Sequence, residues 1–365
     1  MIGFAKSILR KLKKELEYRR AYKKHCGIID EMRDGGVFTT LTPSQKQEVQ
    51  AFYKKHWGEE INLKWHEYYY HVNGIFSPEY IPTYIYYTKI CPKFNDPKLI
   101  KLYSDKNMID KLIPTAKKPK TYIKNINGHF YLNGWEPTTL ERAIEECSNL
   151  EDAIIKHSTE TCKGKSVTRF STQSGQAYIK NDSSTQSVKE LLLSYDKNYI
   201  VQDAIQQSKD MASLNPTSLN TIRIMTYKRK EDVVILYSVV RMGRKGTVVD
   251  NASAGGLYCG VNSDGSLKKE AYTLTPFSKN YTSDNGVRFE TFVVPKFEEM
   301  KSLVKNWHNE LPYAKLIGWD LAVDDNNDIV LVEINASEPG LFQAATGPAF
   351  GEYIIDIFND AKSIK

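Results

Sequence analysis

Long hydrophobic runs are missing from this 365-residue chain. The longest strongly apolar stretch, Val233 to Val240, falls far short of the ~20 residues that span a bilayer. The N-terminus also lacks the apolar segment and small-residue site of a secretory leader. The five cysteines, Cys26, Cys91, Cys147, Cys162 and Cys259, are odd in number and form no C-x-x-C pair. A zinc ribbon, a redox pair and a disulfide framework are therefore excluded, and reduced thiols in the cytoplasm are expected. Internal repeats are absent, and low complexity is confined to the polar run Asn181 to Ser187. The body of the chain also lacks a charge excess. Residues 1–25 hold nine Lys/Arg against two Glu, leaving 41 basic and 42 acidic groups in the other 340. The formal +6 thus resides in one short segment, and a nucleic-acid groove across the body is excluded.

What remains is the composition of a soluble globular protein, 41% apolar and 26% charged. It is long enough for two domains or one large mosaic. In residues 4–24, Phe4, Ile8, Leu9, Leu12 and Leu16 share one face of a helical period, with Lys and Arg opposite. Such a helix either lies on an anionic membrane surface or docks on its own domain with a solvated basic face. Residues 43–100 read as a mainly helical, aromatic-rich region around Trp65, Tyr68, Tyr69, Tyr70 and Tyr80. The dipeptide His66-Glu67 suggests a zinc protease, but Tyr70 stands where the second His of H-E-x-x-H is required. The tyrosines are expected to pack rather than ligate.

From about residue 100, short strands alternate with helices, an α+β texture. Asp105 caps a helix running to Leu112, and Pro114 stops it. The turn Asn127-Gly128 joins strands Thr121–Ile126 and Phe130–Leu132 as a hairpin. A Thr-capped helix is expected over Thr138–Asn149, and strands over Glu151–Lys156, Tyr199–Ile205, Ser218–Tyr227 and Val233–Met242.

The segment Leu316 to Gly340, LIGWDLAVDDNNDIVLVEINASEPG, carries the strongest chemical signal. Its Asp/Asn cluster at 324–328 predicts a tight turn between two alternating strands. A turn centred on Asn326-Asn327 sets Asp320 opposite Glu333, with Asn335 on the same face. Two carboxylates ~5 Å apart repel by ~3 kcal/mol at an effective dielectric of 20. If the face is partly buried, a hard cation, Mg²⁺ or Mn²⁺, is the natural compensation for these oxygen donors. If it is solvated, the pair is incidental. Lys156 closes an apolar strand before the polar loop His157 to Ser166, a place from which an ammonium reaches a phosphate. Gly164-Lys165-Ser166 echoes a Walker motif, but Thr159 stands where the first glycine is required, so a P-loop is excluded. Arg223 and Arg241 interrupt β-branched strands, where arginine pairs with a buried acid or contacts an anion.

In order along the chain, these segments resemble the ATP-grasp superfamily, to which D-alanine–D-alanine ligase and glutathione synthetase belong. D-K-N-x-x-x-K-L-x-P at 105–114 resembles its first nucleotide-contacting lysine helix, which implies Lys106 near the ATP phosphates. Lys156 matches the lysine of the V-x-V-K-P strand, with His157 in place of Pro, and His157 to Ser166 stands where the glycine-rich phosphate loop occurs. The run at 200–205 is similar to the adenine hinge. By that likeness Gln202 lies near the adenine amino group, the backbones of Asp203 and Ile205 pair with the ring, and Asp210 reaches the ribose. E-I-N-x-x-x-P-G at 333–340, with an aspartate thirteen residues upstream, resembles the metal-binding signature and implies Asp320, Glu333 and Asn335 as ligands. Ligases of the D-alanine type carry an arginine two residues before that aspartate. Gly318 stands there in this chain, so the role of holding developing negative charge passes to Arg223 or Arg241.

The segments H-x-Y-Y at 66–69, I-F-S-P-E-Y-I-P at 75–82, N-P-T-S-L-N-T-I-R-I-M-T at 215–226 and R-M-G at 241–243 resemble the sugar-transfer-associated branch. The likeness implies an ATP-grasp fold of two α+β subdomains clasping nucleotide, 100–205 and 206–365, behind a mainly helical region, 1–99. It further implies an ATP- and Mg²⁺-dependent carboxylate–amine ligase that acts on a sugar or cell-surface polysaccharide precursor through an acylphosphate. Two other readings stay open. One is a phosphotransferase on a sugar hydroxyl. The other is a non-catalytic, membrane-peripheral component of polysaccharide assembly, recruited to the membrane or to glycosyltransferase machinery by residues 1–25.

Overall fold

The computed structural model describes residues 38–159, 167–180, 182–244, 246, 255–273, 278–337 and 339–364, with scattered positions between 15 and 30. Most of the expected amphipathic helix at 4–24 and of the loop His157 to Ser166 lies outside the described residues; positions 15, 16, 19, 20, 22 and 23 are helical. The chain divides into two compact units, Met1–Pro97 with Gly340–Lys365, and Lys98–Pro339. The longer helices are, in chain order, α1 (Pro43–His56), α2 (Lys64–Asn73), α3 (Leu140–Glu146), α4 (Val188–Ser194), α5 (Lys209–Leu214), α6 (Phe297–Asn309) and α7 (Ile354–Ser363). None of the described helices is long and apolar enough to cross a membrane.

The first unit is helical and aromatic. The Thr42 hydroxyl and Gln45 form a capping box that starts α1 with Pro43 at its first position. The tyrosines pack, as expected: Tyr53, Tyr69 and Tyr80 are buried, and the Tyr53 hydroxyl donates to the Tyr80 carbonyl at 2.7 Å. His66 is buried with its Nε2 3.2 Å from the Pro78 carbonyl, a core position rather than a ligand.

Gly340–Lys365 belongs to this unit and not, as the sequence reading placed it, to the nucleotide-binding half. The reason is packing. Phe358 of α7 meets Phe52, Tyr53 and Trp57, with ring centroids 6.4, 5.7 and 4.8 Å away. The buried Gln343 donates to the Tyr69 hydroxyl and the Ile81 carbonyl and accepts from the N–H groups of Ile81 and Ala349. All of its polar capacity is thereby satisfied inside this unit.

The second unit holds two antiparallel sheets. The first contains β1 (Thr121–Ile126), β2 (His129–Leu132), β3 (Pro137–Thr138), β4 (Ala153–His157), β5 (Val167–Gln173), β6 (Gln176–Ile179), β7 (Thr185–Ser187) and β8 (Tyr199–Asp203), in the order β3-β2-β1-β8-β4-β5-β6-β7. The β1–β2 hairpin turns through Asn127 and Gly128, both at positive φ, as the Asn-Gly pair demands. The helix after β3 is shorter than expected, because Thr138 pairs in β3 and Thr139 is the cap. Alternate residues of the sheet, among them Ala153, Ile155, Tyr199 and Val201, pack against Ala143 of α3 and Val188, Leu191 and Leu192 of α4.

The second sheet contains β9 (Thr221–Lys228), β10 (Val233–Met242), β11 (Leu257–Val261), β12 (Leu267–Tyr272), β13 (Lys279–Asn280), β14 (Leu316–Val323) and β15 (Ile329–Asn335), in the order β13-β12-β11-β10-β9-β14-β15. Ile222, Ile224, Val240, Ile317, Trp319 and Ile334 form its core with Met300, Val304 and Trp307 of α6. Within that core the Trp319 indole N–H donates to Thr226 Oγ1 at 2.8 Å, and Thr226 Oγ1 lies 2.7 Å from His308 Nδ1. His308 Nε2 lies 3.0 Å from the Ala314 carbonyl. The imidazole is therefore held neutral with its proton on Nε2.

Burial pushes the pKa of His308 down to about 4, only partly opposed by the Ala314 carbonyl. Below its ordinary value of 6.5 the unfolded chain takes up a proton that the folded chain refuses until about pH 4. Stability should thus be flat in this group above pH 6.5 and fall as pH drops toward 4, by about 3 kcal/mol. His66, also pushed down to about 4 by burial, adds a similar slope in the first unit. Urea titrations of wild type and His308→Gln across pH 4–7.5 check this, with a shallower pH dependence expected in the variant.

Candidate active site

The pleat that buries one row of each sheet presents the other row to a cleft. In the first sheet Ile154 and Lys156 alternate with the core residues Ala153 and Ile155, and Lys156 pairs with Ile200 across to β8. In the second, Arg223 alternates with Ile222 and Ile224, and Asp320 with Trp319 and Leu321. Asp320 is in register with Arg223 on one side and with Glu333 on the other, as the sequence predicts for the acids.

The route to that register differs from the expected two-residue turn. Asp324 and Asp328 close a three-residue loop, 325–327, with Asn327 in the left-handed region at φ 62°. Alone, this turn would set Asp320 opposite a different residue. A β-bulge restores the register, because Val332 is an extra residue between the pairs Asp320–Glu333 and Leu321–Leu331.

Asp320 is 2% exposed and makes a bidentate pair with Arg223, whose Nη2 lies 2.8 Å from Oδ2. Arg241 Nη1 reaches the same oxygen at 3.0 Å, and the Asn335 amide nitrogen donates to it at 3.3 Å. Burial pushes the Asp320 carboxyl up, but Arg223, Arg241 and Asn335 outweigh it and hold the group below the usual carboxylate range. Arg223 is itself pushed down by burial and raised further by Asp320, so it stays charged. Glu333 accepts from Lys106 Nζ at 2.8 Å. Burial and Asp320 raise its pKa while Lys106 and Lys156 lower it, and the lowering wins. Among the described residues, four cations, Lys106, Lys156, Arg223 and Arg241, gather about the two carboxylates. The surplus positive charge suits an anion.

Lys106, Lys156, Ile205, Val332 and Glu333 line one cavity with Ile154, Val167 and Leu219. Ile205 lines this cavity, and its N–H has no partner among the described residues. The other three hinge residues are placed as follows. Gln202 lines an adjoining cavity that shares Lys106, Pro119 and Val332 with the first, and it donates to Thr121 Oγ1 at 3.2 Å. The Asp203 N–H donates to the Lys120 carbonyl at 2.9 Å, and the Asp203 carboxylate accepts from the Tyr122 hydroxyl. Asp210, on the exposed first turn of α5, lines neither cavity. Arg169, missed by the sequence reading, lines the first cavity and is fixed by Asp152. It interrupts a strand as Arg223 and Arg241 do, and the same argument could have found it.

The donor set fits a hard cation. Among the described residues no three His, Cys, Asp or Glu side chains gather at metal-binding separation. A cation here would rest on Glu333, on the Asn335 oxygen, whose amide nitrogen is engaged with Asp320, and on Asp320 itself. Its remaining ligands would come from water and phosphate, the usual habit of Mg²⁺.

The profile of sugar-transfer associated ATP-grasp proteins matches residues 86–353. The chain belongs to this family. By that match it is an ATP-grasp protein. No curated protein sequence matches the chain. Among solved structures it is similar to the ATP-grasp ligase PsnB in complex with a minimal precursor, at 9% identity, 74% of this chain, 64% of that one and TM-score 0.39. It is similar too to the D-cycloserine synthetase DcsG, at 11%, 73%, 72% and 0.41. The D-alanine–D-alanine ligase of Bacillus anthracis gives 11%, 73%, 68% and 0.38. The chain spans less than two thirds of the PsnB chain, and 48% of the purK N5-carboxyaminoimidazole ribonucleotide synthetase.

In this ATP-grasp chain Gly318 has a local cause. A Cβ there would lie 3.1 Å from Arg223 Cδ, so the bare backbone leaves room for the Arg223 side chain beside Asp320. Removing the carboxylate strands two buried guanidiniums. Asp320→Ala is expected to lose about 3–5 kcal/mol of stability, with sulfate or polyphosphate recovering part of it. Urea unfolding with and without these anions measures both effects, and a loss below ~1 kcal/mol would place the pair in the solvent-exposed class.

Proposed function

We propose that this chain is an ATP-dependent carboxylate–amine ligase that modifies a sugar or cell-surface polysaccharide precursor. The observation that carries the reading is the Arg223–Asp320–Arg241 cluster, in register with the Lys106–Glu333 pair on one sheet face. Such a face offers lysines to phosphates and guanidiniums to a second anion, a substrate carboxylate, beside them.

In this reading Lys106 and Lys156 hold the ATP phosphates, and Glu333, Asn335 and Asp320 hold Mg²⁺ or Mn²⁺. When bound, the cation neutralises phosphate charge as the γ-phosphoryl transfers. Arg223 and Arg241 orient the substrate carboxylate so that one of its oxygens attacks the γ-phosphorus, and ADP leaves. The amine nitrogen then attacks the acyl carbon. Phosphate departs with the former carboxylate oxygen, and the amine loses a proton. The arginines stabilise the oxyanion formed in that second step. The site is cytoplasmic, and the basic segment 1–25 meets the anionic inner face of the membrane or the glycosyltransferase machinery there.

Turnover is tested by ADP release against panels of uronic acids and amines, with Glu333→Gln as the control. The variant is expected to lose activity by ~10²-fold or more, the scale for removing one preorganised charge-stabilising group. Carboxylate labelled with ¹⁸O separates the ligase from a hydroxyl-directed kinase, since only the ligase delivers label into released phosphate. Salt-sensitive binding to anionic vesicles tests the role of residues 1–25.

A further inference from the structure

Ser104 ends a 3₁₀ turn, Ile100–Ser104, and is 5% exposed. Its Oγ accepts the backbone N–H of Ala336 at 3.2 Å and that of Ser337 at 3.3 Å, the two amides that follow Asn335 at the end of β15. Ser337 Oγ lies 3.2 Å from the same atom. Two residues on, the Lys106 N–H donates to the Ser158 carbonyl at 2.8 Å, and Lys106 Nζ donates to Glu333. Asp105 between them caps the Asn107 N–H at 2.9 Å. Ser158 lies two residues beyond Lys156 and is fully buried, its own N–H donating to the Asn198 carbonyl at 2.8 Å. Ser104 and Lys106, two residues apart, therefore tie the end of β4 in one sheet to the end of β15 in the other. They do so at the two strand ends that carry Lys156 and Glu333–Asn335.

We propose that Ser104 is a positioning residue that aims Asn335 and Glu333 at the cation-bound nucleotide. This rests on the assignment of those two side chains to the cation. The physical reason is leverage. The peptide groups gathered by Ser104 are the next ones after Asn335, so a rotation there swings the carboxamide. A displacement of ~1 Å in a positioned ligand is worth ~10²-fold in function. Alanine at 104 removes the shared acceptor and frees the strand end to turn, whereas threonine keeps the hydroxyl. Neither change touches nucleotide or cation directly.

The test measures ADP affinity of the full chain by calorimetry across a Mg²⁺ series, for wild type, Ser104→Ala, Ser104→Thr and Ser104→Cys. Ser104→Ala should need roughly tenfold more Mg²⁺ for half of the cation-dependent gain in affinity, the scale of one lost hydrogen-bonded constraint. Its cation-free ADP affinity should stay within about twofold of wild type. Ser104→Thr should restore the wild-type curve. Ser104→Cys, nearly isosteric with a weak acceptor, should shift in the direction of alanine and serves if the alanine variant does not fold. A folded Ser104→Ala or Ser104→Cys with the wild-type Mg²⁺ dependence overturns the proposal. A wild type whose ADP binding ignores Mg²⁺ and Mn²⁺ overturns the cation assignment itself, and this proposal with it.

Discussion

Asp320 lies in the interior of a seven-stranded sheet, almost sealed from water, with guanidinium groups from the neighbouring strand and the one beyond on its carboxylate. A carboxylate buried alone would be expelled from such a place or protonated there. Its presence therefore dictates much of what surrounds it. Two arginines must interrupt otherwise apolar strands, and Gly318 leaves room for the side chain of one of them. Asn335 must turn its amide nitrogen inward. Once these demands are met, two guanidiniums meet the one carboxylate of Asp320, and Lys106 and Lys156 stand beside Glu333. The same arrangement that lets the acid be buried makes the cleft receptive to polyanions.

Much of this was legible in the chain, though not always for the right reason. The alternation in NTIRIMT and LIGWDLAV places Arg223 and Asp320 on the face opposite the core, and the structure agrees. The pairing of Asp320 with Glu333 was inferred from a turn of the wrong length, which the bulge at Val332 compensates. No periodicity argument detects a bulge, because one inserted residue leaves the composition and alternation of the flanking strands intact. The arginines were read as partners of a buried acid or an anion. That the acid is Asp320 depends on β9 lying beside β14, a pairing between segments nearly a hundred residues apart.

The hinge was less legible. A backbone N–H is identical in every residue but proline, so its engagement depends on which strand lies alongside. Asp203 is committed to Lys120 by the packing of β1 against β8, which the run of residues at 200–205 cannot disclose. Ser104 was invisible for a similar reason. Serine is common in turns, and its partners at 336 and 337 lie more than two hundred residues away.

The helical unit draws on both flanks of the nucleotide-binding unit, with Phe358 and Gln343 filling its interior from the later segment. On the ribosome, residues 98–339 are synthesised before that segment, so every strand of both sheets precedes it in order of appearance. The two sheets can therefore condense while the aromatic cluster around Tyr53 and Tyr69 still waits for its last wedge. Completion of the helical part therefore waits on residues made after both sheets.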